Sequence, residues 1–251
     1  MILQDFIQEP HNYVSIFRAI ANGDRTQKQI SVQTGLPQGH VSKYLGVLRG
    51  AGFVERRIPV TAAASSRMGR YHITDPYLRF YYRFLVSRQA QLALGESDLA
   101  LAEIRRHLID FVGTHTWEEI CREWTLRAGV RGKLGVTPDQ VGSVWTKKVQ
   151  VDVVGINSME KTIILGECKW GAKPIGRNVL EALVRKTAEV VPKKGHWQVK
   201  YVGFARKGWT DPAYEFAESI SQPRESKSNW SIIGMDLLNL QIVDYDLQAW
   251  T

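Results

Sequence analysis

Residues 149–170, VQVDVVGINSMEKTIILGECKW, decide how the chain is read. Val149, Val151 and Val153 alternate with Gln150, Asp152 and Val154, the two-residue period of a strand. Residues 162–170 predict a second strand, with Ile163, Leu165, Glu167 and Lys169 on one face and Ile164, Gly166, Cys168 and Trp170 on the other. Residues 157–161 supply a turn. Centred between Met159 and Glu160, it sets Asn157 opposite Thr162 and Asp152 opposite Glu167. Opposed residues share a face, with β-carbons about 5 Å apart. Two carboxylates that close repel each other unless something cationic sits between them. Hard cations such as Mg²⁺ take oxygen from one or two carboxylates and keep several waters. Lys169, on the same face, can hold an attacking hydroxide or the charge that develops on a phosphorane. The group suits metal-assisted hydrolysis of a phosphodiester. A surface hairpin with a Glu–Lys pair is the plain alternative, and Asp152 at the matching place in otherwise apolar strands argues against it.

Outward from the hairpin the same periods continue. Residues 141–145 predict a strand before it. Residues 175–191 predict a helix after it, with Val179, Leu180, Leu183, Val184 and Thr187 on its apolar face. A strand over 197–204 follows, then a helix opened by Asp211-Pro212, then final strands around Ile232, Ile233 and 238–243. Upstream, Asp75-Pro76 starts a helix on which Tyr77, Phe80, Tyr81, Phe84 and Leu85 form one stripe, expected as a buried seam. Leu101, Ile104, Leu108, Ile109 and Val112 mark another helix. A further one near Trp117–Trp124 carries Glu118, Glu119 and Glu123.

The first third has a different order. Ile16, Phe17 and Ile20 share a helical face. Thr26 can cap a second helix that carries Ile30 and stops at Gly35. Val41, Leu45 and Leu48 line a third, and residues 53–59 and 71–73 read as a hairpin. Helix, helix, tight turn, helix, hairpin is the order of a winged helix-turn-helix. Gln38, His40, Ser42, Lys43 and Arg49 lie on or beside the side of the third helix away from its apolar stripe. They suit base edges and phosphates of a major groove. Arg56, Arg57, Arg67 and Arg70 cluster on the wing, where phosphate or minor-groove contact is usual. Double-stranded DNA is the expected partner; a winged helix used only for packing is the weaker reading.

Composition agrees. The chain has 251 residues, long for one domain and comfortable for two. Lys and Arg number 33 against 25 Asp and Glu, a formal net charge of +8 that points to a polyanion. No apolar run reaches the length a membrane helix needs, so no membrane partner is expected. The N-terminus, MILQDFIQEPHNY, lacks the basic start and apolar core of a secretory signal. With 2 cysteines, Cys121 and Cys168, a disulfide framework is excluded and a reducing cytoplasm is the simplest setting. The 6 histidines are scattered, which disfavours a zinc site, and Cys168, on the face opposite Glu167, reads as core rather than nucleophile.

Helix, three strands, helix, strand is the core order of the PD-(D/E)XK nuclease fold, and residues 149–170 resemble its acid hairpin. The resemblance implies Asp152, Glu167 and Lys169 as catalytic residues, with Mg²⁺ or Mn²⁺ on Asp152 and Glu167. It also implies a further ligand from the preceding helix, for which Glu118 is the best match and Glu119 the second. Pro138-Asp139 is a literal Pro-Asp but precedes the first strand and is set aside. More narrowly, YVSIFRAIANGDRTQKQI, VSKYLGVL, GFVERRIPV, YHITDPYLRFYYRFL, WEEICREW and GECKW, in this order, resemble the C-terminal region of prokaryotic, chiefly archaeal-type, AAA+-like ATPases. That resemblance implies an ATPase domain as partner. No nucleotide site is expected in this chain, because GECKWGAK, residues 166–173, has Ala172 where a phosphate loop needs lysine.

The expected fold is α/β: a winged helix-turn-helix over 1–75, a helical connector over 76–110, and a PD-(D/E)XK domain with a mixed sheet over 111–251. The expected function is DNA binding with metal-dependent phosphodiester cleavage. The alternative is a DNA-binding, regulatory or docking module of an ATPase whose nuclease-like domain does not cut. An oligomer is compatible with either.

Overall fold

The computed structural model describes residues 9–23, 25–221 and 228–250. Residues 1–8, part of the N-terminal stretch without signal character, lie outside these. The chain divides into two compact units, 1–58 with 62–107, and 59–61 with 108–251. Residues 76–107, expected from sequence as a connector, pack within the first unit.

In the first unit, α1 (Pro10–Ala21), α2 (Gln27–Thr34) and α3 (Gln38–Gly50) precede the hairpin of β1 (Val54–Arg57) and β2 (Arg70–Ile73). Thr26 caps α2 in a full capping box with Gln29, and Gly35 ends it at φ 72°. Ile16, Ile20, Ile30, Val41, Leu45, Leu48, Val54 and Ile73 close one core. Apolar stripes of three short helices meet there, which none of them could bury alone.

The aromatic stripe departs from its expected course. After α4 (Pro76–Phe80) the helix widens into a π turn over Tyr81–Leu85. The wide turn rotates the residues after it, so those expected on one stripe separate: Phe84 is buried while Tyr77 is 66% exposed. Tyr82, outside the expected stripe, stacks on Phe17 at 4.6 Å between ring centroids. A short 3₁₀ turn, α5 (Gln89–Ala93) and α6 (Asp98–Phe111) come next. Leu101, Leu108 and Ile109 on α6 stay substantially exposed.

The second unit is a five-stranded mixed sheet in the order β3-β4-β5-β6-β7. The strands are β3 (Gln140–Trp145), β4 (Gln150–Asn157), β5 (Thr162–Lys169), β6 (Trp197–Ala205) and β7 (Trp230–Asn239). β3, β4 and β5 pair antiparallel, and β5, β6 and β7 pair parallel. A second π turn, Val112–Trp117, leads into α7 (Glu118–Val130). One face of the sheet packs on Trp117, Cys121 and Trp124. The other packs on α8 (Arg177–Val190) and α9 (Asp211–Ile220) through Leu180, Leu183, Ala213 and Ala217. Helices therefore cover both faces of the sheet, which is why β4 and β5 are buried almost end to end.

Two further expectations are corrected. Of residues 238–243 only Leu238 and Asn239 are strand: β7 ends at Asn239, whose side chain accepts the N–H of Ile242 at 3.0 Å and caps α10 (Leu240–Ala249). Strict alternation along β4 also fails. Gly142 pairs with Val154 but Val144 pairs with Val151, so Asp152 and Val153 together oppose one residue of β3. This β-bulge puts Val151 and Val154 in one core cluster and Val153 in the other.

Candidate functional site

The β4–β5 register is Val153 to Gly166 through Asn157 to Thr162. The pairing stops at Val153 and Gly166, and the next residues, Asp152 and Glu167, face one cavity. Gly166 is needed there, since a Cβ would stand 2.9 Å from Val153 Cβ and 3.2 Å from the Val202 carbonyl. Asp152, at the bulge, accepts the backbone N–H of Cys168 at 3.0 Å on Oδ2. Asp152 and Glu167 are each only 8% exposed. Both line a cavity of about 440 Å³, whose wall also includes Glu118, Lys169, Trp170 and Lys186.

Four carboxylates, of Asp110, Glu118, Asp152 and Glu167, and two ammonium groups, of Lys169 and Lys186, line the cavity. Glu167 Oε1 accepts from Lys169 Nζ at 2.6 Å and Oε2 accepts from Lys186 Nζ at 2.8 Å. Burial first, and then the charge of Glu167, raise the Asp152 pKa above its ordinary value; the Cys168 N–H and the two lysines pull it back only in part. Burial works to lower the Lys169 pKa, but the Glu167 charge and hydrogen bond, with Asp152, leave it raised. Glu118 pairs with Arg122 at 3.4 Å, and Arg122 donates to the Asp152 carbonyl at 3.0 Å, which ties the first turn of α7 to the bulge. Glu118 and not Glu119 lines the cavity.

The residues suit a hard divalent cation in donor type and in charge. Two buried carboxylates share one cavity and offer the oxygen donors that such a cation takes. Glu118 stands on the same wall, but among the described residues no three His, Cys, Asp or Glu side chains converge as a metal cage. Cys121 and Cys168 are buried, and burial pushes both thiols up, away from the thiolate form; Cys168 also borders the cavity. Asp139 lies away from the acids; it accepts the Ser158 N–H at 3.3 Å, at the turn end of the hairpin.

Two residues escaped the sequence reading: Lys186, which lines the cavity, and Arg122, which holds Glu118 and the Asp152 carbonyl beside it. Lys186 lies at i+7 from Val179 and i+3 from Leu183, and a lysine on an otherwise apolar helical stripe was the available signal. Arg122, four residues after Glu118, was readable as its helical ion-pair partner.

On the first unit, Gln38, His40, Ser42, Lys43 and Arg49 are all exposed on α3, opposite Val41, Leu45 and Leu48. The wing arginines differ among themselves. Arg67 is exposed, while Arg56 is half-buried and donates to the Ser66 carbonyl at 2.5 Å. Arg57 pairs with Glu55 and stands opposite Arg70.

Residues 12–57 match the model of the IclR helix-turn-helix domain, which supports DNA binding by the first unit. Residues 81–187 match a family described as archaea bacterial proteins of unknown function. That span includes Glu118, Asp152, Glu167, Lys169 and Lys186. The chain is similar to an uncharacterized protein of Methanocaldococcus jannaschii, 28% identical over 163 residues. The match takes in 65% of this chain and 36% of that protein, so the chain spans about a third of its length. No solved structure matches. Among the described residues no helix is long and apolar enough to cross a membrane.

Proposed function

We propose that the second unit is a metal-dependent deoxyribonuclease of PD-(D/E)XK type, and that the helix-turn-helix of the first unit binds its duplex DNA. One observation carries this reading: two buried acids meet across a hairpin in a single cavity, with a lysine 2.6 Å from one of them. Asp152 and Glu167 would hold Mg²⁺ or Mn²⁺, and Glu118 would add an oxygen through water from the α7 wall. The ion, when bound, supplies Lewis-acid polarisation of the phosphodiester and activation of water. Lys169 positions the attacking oxygen and offsets negative charge at phosphorus. Arg122 fixes Glu118 and the bulge carbonyl. Trp170, flanked by Trp117 and the Arg206 guanidinium, closes one side of the cavity against solvent.

A second reading keeps DNA binding but makes the second unit a docking or regulatory part of an AAA+-like ATPase. It is favoured by the ion pairs on both oxygens of Glu167, which give that acid a structural role with no metal. A cleavage assay on plasmid, linear and branched DNA, titrated with Mg²⁺ and Mn²⁺, separates the two. Metal-dependent cutting that disappears in Glu167→Gln is expected. DNA binding with no cutting in either metal would reject the nuclease reading in favour of docking.

A further inference from the structure

We infer that Lys186 is the resident counter-ion of Glu167, displaced by a divalent cation and then passed to a non-bridging oxygen of the scissile phosphate. This rests on the nuclease reading of the same cavity. Lys186 comes from α8, not from the acid hairpin, and its ammonium reaches Glu167 Oε2 at 2.8 Å. The pair is well shielded, with side-chain exposures of 24% for Lys186 and 11% for Glu167. Lys169 holds the other oxygen. Both lysines that line the cavity are thus committed to Glu167 as it stands.

A dication held by Asp152 and Glu167 would disturb that pairing. It competes for the same carboxylate oxygens and repels both ammonium groups at short range. The two lysines are not equally able to yield. Lys169 sits two residues from Glu167 on the same strand, so its reach is set by β5. Lys186 comes from α8, a different layer, so its displacement would leave the strands that carry the acids in place. With Asp152 and Glu167 engaged by metal and Glu118 paired with Arg122, the substrate phosphodiester is the anion assigned to the freed ammonium. Lys186 therefore neutralises Glu167 before metal arrives and phosphate charge afterwards.

The two duties carry opposite signs, which makes the inference testable on the full chain. Mn²⁺ is titrated, without DNA, into wild type, Lys186→Met and Lys186→Gln, with affinity read by calorimetry or Mn²⁺ spin resonance. Both variants should bind Mn²⁺ more tightly, by roughly tenfold, because a like charge has been removed. At saturating Mn²⁺ both should cleave more slowly in single turnover, by about 10²-fold, because one stabiliser of phosphate charge is gone. The Met and Gln variants guard against a fault peculiar to one side chain, and thermal melts confirm that both fold. Unchanged or weaker Mn²⁺ affinity in both variants, with wild type binding and cutting, overturns the inference and leaves the nuclease reading standing. Tighter binding with undiminished cleavage overturns the phosphate duty. No Mn²⁺ binding by wild type or variants removes the nuclease reading and this inference with it.

Discussion

Asp152 Oδ2 accepts the backbone N–H of Cys168 at 3.0 Å, so the first acid of the cavity is fastened to the strand that carries the second. The bond runs from β4 to β5, on the side away from the bulge with β3, and it holds Asp152 beside Glu167 despite their like charge. That enforced proximity governs how the cavity responds to protons and to metal.

The first test is pH dependence. Asp152 titrates above its ordinary range, chiefly from burial and then from Glu167. The folded state therefore holds this proton more tightly than the unfolded chain. The resulting stability is full below the unfolded pKa and declines as pH rises through the folded value. Urea denaturation of the metal-free protein should show stability falling across that window, with the fall reduced in Asp152→Asn. An identical slope in the variant would show that Asp152 is not the titrating group.

Metal binding and chemistry should separate by residue. Asp152→Asn and Glu167→Gln should each lose Mn²⁺ binding and cleavage. Lys169→Met should bind Mn²⁺ at least as tightly as wild type and lose cleavage by about 10²-fold, since an ammonium repels the ion rather than ligating it. Calorimetry and single-turnover cleavage read the two effects independently. Cutting that survives Glu167→Gln places the activity outside this cavity.

DNA affinity should follow exposure on the helix-turn-helix. Lys43, Arg49 and Arg67 are exposed, whereas Arg57 is paired with Glu55. Replacing Lys43, Arg49 and Arg67 by Gln should weaken duplex binding. It should also flatten the log–log salt slope by about 0.9 for each phosphate that is no longer neutralised. Arg57→Gln should change the slope much less. Equal slopes for the triple variant and wild type would exclude this face as the DNA surface.

The first unit should also depend on its cap. Thr26 and Gln29 satisfy each other's backbone at the start of α2. Thr26→Ala should cost about 1 kcal/mol in chemical denaturation. The thermal melt should move down with no change in Mn²⁺ affinity, and a stability equal to wild type would mean that the capping box contributes nothing.

The hairpin was legible because its signals are local: a two-residue period on each arm and a turn whose symmetry alone sets Asp152 and Glu167 on one face. The bulge was not, because it is a relation between β4 and its partner β3, and no feature of residues 150–154 announces which partner residue is skipped. The π turn at Tyr81–Leu85 was hidden for a related reason. Helical periodicity assumes an even pitch, and one wide turn separated Tyr77 from Phe84. The apolar run 238–243 reads equally as strand or helix, and the deciding clue was Asn239 as a cap. Lys186 stayed unseen because its meaning depends on a helix 8 residues beyond the hairpin, counted from Lys169 to the start of α8 at Arg177, folding back over β5.

The tight turn between β4 and β5 also bears on the order in which the molecule assembles. Antiparallel neighbours joined by a short turn close in about 1–10 μs, whereas parallel pairing of β5 with β6 must wait for the whole α8 crossover. Truncation of Val153 should then slow folding, with a φ-value above about 0.5, while truncation of Leu183 should mainly speed unfolding. The opposite pattern would mean that the crossover nucleates. A nascent chain thus brings its two acids together early with Lys169 beside them, and the burial of β5 beneath α8 delivers the second lysine only as the sheet is completed.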